Sequence, residues 1–152
     1  QGLVSYQASG MRQNIYEQDG YQIYADCYNA SPDAMEATLS VLGGMAGDGR
    51  RFAVLGSMLE LGDYAEEGHR RAGRAAAQYA DALYAYGPDA AAMVAGAREK
   101  GMEHAYAFDD QTALVAALRE DAKKGDALLF KGSRGMRMER ALAMFLGEEV
   151  EA

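Results

Sequence analysis

Basic residues are the scarcer charge in this chain. Fifteen Lys and Arg stand against 23 Asp and Glu, for a formal net charge of −8. That balance argues against a general nucleic-acid or membrane-surface role, which needs a basic face. Cysteine is almost absent: Cys27 alone cannot form an internal disulfide, and it suits a reducing cytoplasm. The two histidines, His69 and His104, are isolated from each other and from any cysteine cluster, so no metal-ligand spacing arises. No apolar run approaches the roughly 20 residues of a membrane span, and no secretory leader is visible. Neither a Gly-x-Ser-x-Gly elbow nor the Gly-x-x-x-x-Gly-Lys-Ser/Thr phosphate loop occurs. If this chain handles ATP, something else must hold the phosphates. The chain opens on Gln1 rather than methionine, which suits a piece of a larger protein.

What remains is an ordinary globular composition. The 152 residues, 49% hydrophobic and 25% charged, suit one domain spanning 1–152 with a substantial core. Residues 13–17 and 21–25 carry isoleucine and tyrosine and flank Asp19-Gly20, which predicts a β-hairpin. Ser31 and Pro32 predict a helix start, with Met35, Leu39 and Leu42 on its buried face and a stop near Gly43-Gly44. Strands follow at 52–55, 82–86, 104–108 and 127–130. Helices are expected over 66–80 and 90–100, after Asp109-Asp110, and from Met138 to about Leu146.

Alternating strands and helices predict an α/β fold: a mostly parallel sheet covered by helices on both faces, with the hairpin adding an antiparallel edge strand. Ligands of such folds bind at the carboxyl ends of the strands. The loops there are 26–31, 56–62, 87–88, 109–110 and 131–135.

Two of these loops carry chemistry. Lys131-Gly-Ser-Arg-Gly135 follows an apolar strand and precedes a helix, a setting in which a lysine, a hydroxyl and an arginine can hold an anionic oxygen group. A plain βα turn with solvated basic residues fits equally well. Asp26 ends a strand, where a carboxylate can accept from ribose hydroxyls, and Asn29 offers the donor and acceptor that an adenine edge needs. Both are also good turn formers that bond their own backbone. Arg12 alone reads as a solvated surface residue. The carboxylates Glu60, Asp63, Glu66 and Glu67 can bind Mg²⁺, but a solvated helix N-terminus explains them as well. Cys27 reads as a packed thiol.

Taken together, several segments resemble one family. Asp26-Cys-Tyr-Asn-Ala-Ser-Pro-Asp-Ala-Met35 is similar to the Asp-x-Tyr-Asn-Ala-x-Pro-x-Ser-Met signature of the Mur ligases, in the branch that joins D-alanyl-D-alanine to UDP-N-acetylmuramoyl-tripeptide in peptidoglycan synthesis. Val54-Leu-Gly-Ser-Met-Leu-Glu-Leu-Gly62 resembles that branch's Gly-Asp-Met-x-Glu-Leu-Gly, and Glu67-Gly-His69 its following Glu/His helix. Leu129-Phe-Lys-Gly-Ser-Arg-Gly-Met-Arg-Met-Glu139 resembles its Lys-Gly-Ser-Arg-x-Met-x-Met-Glu, and Gly10-Met-Arg12 the opening of its C-terminal domain.

The resemblance implies a Rossmann-like C-terminal domain, a three-layer sandwich separated from the central ATPase domain that carries the phosphate loop. It implies ATP and Mg²⁺, both held mainly by that other domain. It implies an acyl phosphate attacked by the dipeptide amine. Arg12 would then reach the nucleotide phosphates, Asp26 the ribose and Asn29 the adenine. Lys131, Ser133 and Arg134 would face the acceptor dipeptide or the forming tetrahedral intermediate. No residue of this chain would be catalytic by itself, none would ligate metal, and no nucleic acid or membrane would be a partner. Ser57 departs from the pattern, standing where the family usually has aspartate, and no role is assigned to it. A stand-alone nucleotide-binding or regulatory module of the same fold, or a non-catalytic interaction domain with polar loops, would read similarly from fold alone.

Overall fold

A computed structural model describes residues 14–27 and 30–148. The first two strands are β1 (Asn14–Gln18) and β2 (Tyr21–Asp26), paired antiparallel. Asp19 (φ 56°) and Gly20 (φ 90°) make the two-residue turn between them. Positive φ at both positions gives the turn the twist that a hairpin needs.

Helix α1 (Pro32–Leu42) starts where the sequence predicts. Ser31 Oγ accepts from the Ala34 N–H at 3.2 Å and Pro32 occupies the first turn, where no N–H is needed. The chain then alternates: β3 (Arg51–Gly56), α2 (Ala65–Tyr79), β4 (Ala82–Tyr86), α3 (Ala90–Glu99), β5 (Ala105–Phe108), α4 (Gln111–Asp121), β6 (Ala127–Lys131) and α5 (Met138–Phe145). No helix among the described residues is long and apolar enough to cross a membrane.

The six strands lie in the order β1-β2-β6-β3-β4-β5, with every pair after the hairpin parallel. The last strand in the chain is therefore an inner one, with β2 on one side and β3 on the other. It is buried along its whole length, which is why it reads as an unbroken apolar run. Alternation sorts β3 onto two faces. Ala53 and Leu55 join Met35, Leu39, Ala72, Ala76, Met93 and Ala97 under α1, α2 and α3. Phe52 and Val54 join Leu114, Leu118, Met138, Leu142 and Phe145 under α4 and α5. The three-layer α/β sandwich with its antiparallel edge hairpin is the predicted one.

Helices α2 and α3 meet backbone to backbone. A Cβ on Gly73 would sit 1.9 Å from Met93 O, and one on Gly96 would sit 2.1 Å from Arg70 O. Only glycine at both positions allows that approach. The outer face of α2 carries Arg70, Arg71 and Arg74, paired with Glu66, Glu36, Glu67 and Glu99 in an exposed network.

Two boundaries near the binding edge differ from the sequence reading. β6 runs on through Lys131, which the sequence placed in the following loop. The chain also does not pass straight from that loop into a helix. A short 3-10 turn, Arg134–Met136, intervenes, and Arg137 takes a left-handed conformation (φ 55°) before α5 begins at Met138. The reason is packing: Met138 is fully buried against the sheet, so the helix must start where that side chain can reach inward.

Candidate functional site

The parallel register brings Asp26 and Lys131 side by side at the carboxyl ends of β2 and β6. Their side chains close an ion pair, Lys131 Nζ to Asp26 Oδ2 at 2.6 Å, with side-chain exposures of 1% and 8%. At that depth the pair holds only because each charge neutralises the other. Next to it, the buried Cys27 thiol donates to Phe130 O at 3.5 Å. Burial, then the nearby Glu139 and Asp26 carboxylates, push this thiol up to about 12. It is the packed thiol that the sequence suggested, not a nucleophile.

Beyond β6 and β3 the loops are tied to each other by single hydrogen bonds. Ser133 N–H donates to Ser57 O at 3.2 Å, and Leu59 N–H donates to Ser133 Oγ at 2.8 Å. Ser57 is fully buried. Its Oγ accepts from Asp89 N–H at 3.0 Å and lies 3.3 Å from Tyr86 O, to which a hydroxyl can donate. Ser57 thus joins the ends of β3, β4 and β6. An aspartate there could take the same N–H but would set a carboxylate against the Tyr86 carbonyl.

His69 does similar work from α2. Its Nδ1 lies 2.6 Å from Ala65 O and Met58 N–H donates to Nε2 at 2.8 Å, so the neutral ring with its proton on Nδ1 satisfies both. Asp89 Oδ2 is 3.7 Å from the same Nε2. The sequence excluded His69 as a metal ligand but missed this bracing role. Its signal was the helical spacing His69, Ala72, Ala76, which puts the ring on the buried face of α2.

Two of the clefts on this edge flank the turn after β6. The larger, about 440 Å³, is walled by the N-terminus of α1 (Ala30, Ser31, Ala34), by Leu59 and Glu60, and by Ser133, Arg134 and Gly135. Arg134 is exposed at its rim. The smaller, about 230 Å³, lies between the start of α4 and the turn before α5, with Gly135 on the ridge that the two share. Of the residues predicted from sequence, Asp26, Lys131, Ser133 and Arg134 are gathered on this edge. Arg12 and Asn29 lie outside the described residues. Glu66 and Glu67 pair with Arg70 and Arg74. Among the described residues no group of three or more His, Cys, Asp or Glu is arranged to hold a metal ion.

Comparison with known proteins identifies the family. The family described as Mur ligase, glutamate ligase domain, matches residues 11–134. Over 141 residues the chain is 36% identical to the UDP-N-acetylmuramoyl-tripeptide–D-alanyl-D-alanine ligase of Bacillus subtilis, covering 91% of this chain and 31% of that protein. The crystal structure of MurF ligase from Thermotoga maritima in complex with ADP matches with a TM-score of 0.79 and 33% identity, covering 95% of this chain and 32% of that one. MurF from Acinetobacter baumannii matches with a TM-score of 0.81 and 30% identity, covering 90% and 30%. The chain spans about a third of the length of these relatives. With the fold, the strand-end loops and the similarity along nearly the whole chain in agreement, the chain belongs to the Mur ligase family.

Proposed function

We propose that this chain is the C-terminal domain of an ATP-dependent ligase that joins D-alanyl-D-alanine to UDP-N-acetylmuramoyl-tripeptide, in the bacterial cytoplasm. The observation that carries the reading is convergence. Three stretches remote in sequence, at 30–34, 59–60 and 133–135, wall one cleft at the carboxyl edge of the sheet. They do so in a fold that nearly all overlaps an ADP-bound MurF.

ATP, with Mg²⁺ held by the part of the enzyme that carries the phosphate loop, supplies the activation of the tripeptide carboxylate. The residues of this chain bind and orient. Asp26 offers its other carboxylate oxygen to the ribose, while the ion pair with Lys131 fixes that carboxylate in place. Arg12 and Asn29 contribute the phosphate and adenine contacts that the family resemblance gives them. Arg134, presented beside Ser133, stabilises negative charge on the acceptor side: the dipeptide or the tetrahedral oxyanion formed when its amine adds to the activated carbonyl. The bonds of Ser133 to Ser57 and Leu59 hold the backbone from which Arg134 projects.

The test is a comparison of the 152-residue chain with the full-length protein that contains it. Phosphate release from the full-length protein should require ATP and both peptide substrates, and the chain alone should release none. ATP affinity of the chain alone should be on the order of millimolar, since most of the phosphate contacts lie elsewhere. Micromolar binding by the chain alone would overturn the split-site reading and mark a stand-alone nucleotide-binding module instead.

A further inference from the structure

Arg134 is presented by a turn that the chain does not favour on its own. Arg137 closes the 3-10 turn Arg134–Met136 in the left-handed conformation (φ 55°, ψ 47°), where a residue with a side chain is strained. Packing on the sheet side supplies the reason. Met136 and Met138 both lie against the end of β3: a Cβ on Gly56 would sit 3.0 Å from Met136 Cβ and 2.8 Å from Met138 Sδ. A continuous helix would put residues so spaced on nearly opposite faces. The left-handed residue between them lets both reach inward.

One side chain holds that strained residue. Gln111, the first residue of α4, is more than nine-tenths buried. Its Nε2 donates to Met136 O at 3.0 Å and to Arg137 O at 3.1 Å. Those carbonyls belong to the two peptide planes on either side of the Arg137 Cα, and the angle between these planes is what φ and ψ describe. A single amide therefore fixes the conformation of Arg137. Its other end, Oε1, is buried with no partner among the described residues. A bare buried acceptor works against stability, so the two donated bonds call for a geometric role. The support is firm: Asp110 caps α4 through the Thr112 N–H at 3.1 Å, and Leu114 and Leu118 are fully buried.

The turn is continuous from Ser133 to Arg137. Met136 N–H donates to Ser133 O at 2.8 Å and Arg137 N–H to Arg134 O at 3.0 Å. Ser133 anchors one end to the loop after β3, and Gln111 anchors the other end to α4. Arg134 projects between the two anchors. Resting on the ligase reading, we propose that Gln111 is a positioning residue: it touches no substrate, but through the carbonyls of Met136 and Arg137 it sets the direction in which Arg134 meets the acceptor side of the reaction.

The experiment is a double-mutant cycle in the full-length enzyme, with ATP and D-alanyl-D-alanine varied in turn and melting temperatures measured alongside. Gln111→Leu should lower kcat/KM for D-alanyl-D-alanine about tenfold or more and leave the KM for ATP within about twofold. In the Arg134→Ala background the same change should cost less than about twofold, because the group it positions is gone. Adding Arg137→Gly to Gln111→Leu should restore most of the loss, since glycine takes the left-handed turn without strain. Where Gln111→Leu does not fold, Gln111→Asn takes its place with the same coupling expected, as its shorter amide cannot reach both carbonyls. Equal losses with and without Arg134 would overturn the positioning role and leave the ligase reading standing. So would an unchanged dipeptide kcat/KM in a folded variant. An unaltered full-length protein with no dipeptide-dependent phosphate release would overturn the ligase reading, and this role with it.

Discussion

Asp26 and Lys131, 105 positions apart in the chain, share one buried ion pair of 2.6 Å between neighbouring strands. The sequence gives them separate ligands, a ribose and an acceptor peptide. In the fold they are one unit, so neither can be altered alone without leaving the other as a buried charge.

Replacing Asp26 with alanine should therefore cost stability as well as nucleotide affinity. Loss of one member of a buried pair costs about 3–5 kcal/mol, whereas apolar replacement of both is often close to neutral. Asp26→Ala and Lys131→Met should each lower the urea midpoint, and the double variant should recover most of the loss. Additive losses would mean that the two side chains act independently.

Helix packing supplies a second expectation. Gly→Ala inside a helix normally gains roughly 1 kcal/mol from propensity. At Gly73 and Gly96 the new methyl would enter a carbonyl of the facing helix, at 1.9 Å from Met93 O and 2.1 Å from Arg70 O. Either change should instead destabilise by about 1–3 kcal/mol or more, because the backbones must separate. Thermal unfolding of the two single variants checks the sign.

Alkaline pH should unfold the chain by way of buried groups kept neutral. Burial raises the Cys27 thiol from 9.0 to about 12, and burial with the Asp121 hydrogen bond raises the Tyr84 hydroxyl. The unfolded chain loses these protons first, so above the unfolded thiol value each step in pH favours unfolding. The stabilisation from Cys27 is complete below pH 9.0 and is lost as pH rises toward about 12. Denaturation midpoints measured from pH 8 upward should fall for the native chain and fall less for Cys27→Ala. Native Cys27 should also resist thiol reagents at neutral pH until the chain is unfolded.

Arg134→Lys tests the acceptor side. Lysine keeps the charge but cannot present two parallel N–H donors to a carboxylate or oxyanion. In the full-length enzyme the loss should be about 10-fold to 100-fold in kcat/KM for the dipeptide, with a smaller effect on the KM for ATP. A defect confined to ATP would move Arg134 to the nucleotide.

How far the sequence reached depended on the range of each interaction. The Asp19-Gly20 hairpin, the Ser31-Pro32 helix start and the alternation of strands and helices are local, and all are found where expected. The strand-end loops followed from the rule that ligands meet parallel sheets there. The residues that brace those loops were harder to read. Ser57 gains its importance from Tyr86 and Asp89, His69 from Met58, and Gln111 from a turn 25 residues away. None of these partners is marked by spacing. The left-handed Arg137 was hidden as well, because nothing in Arg-Gly-Met-Arg distinguishes a 3-10 turn from a helix start.

The position of β6 has a consequence for how the sheet comes into being. β1 and β2 can pair early, and β3, β4 and β5 can associate through their own crossover helices. The two groups have no direct pairing, since β6 lies between them. During synthesis, both blocks must wait with unpaired edges on β2 and β3 until Ala127–Lys131 leaves the ribosome. Contacts of such long sequence separation form slowly, and waiting edges invite pairing with other chains. The late arrival of this one strand should therefore set the folding rate and make the nascent chain, more than the finished one, the form that depends on chaperones.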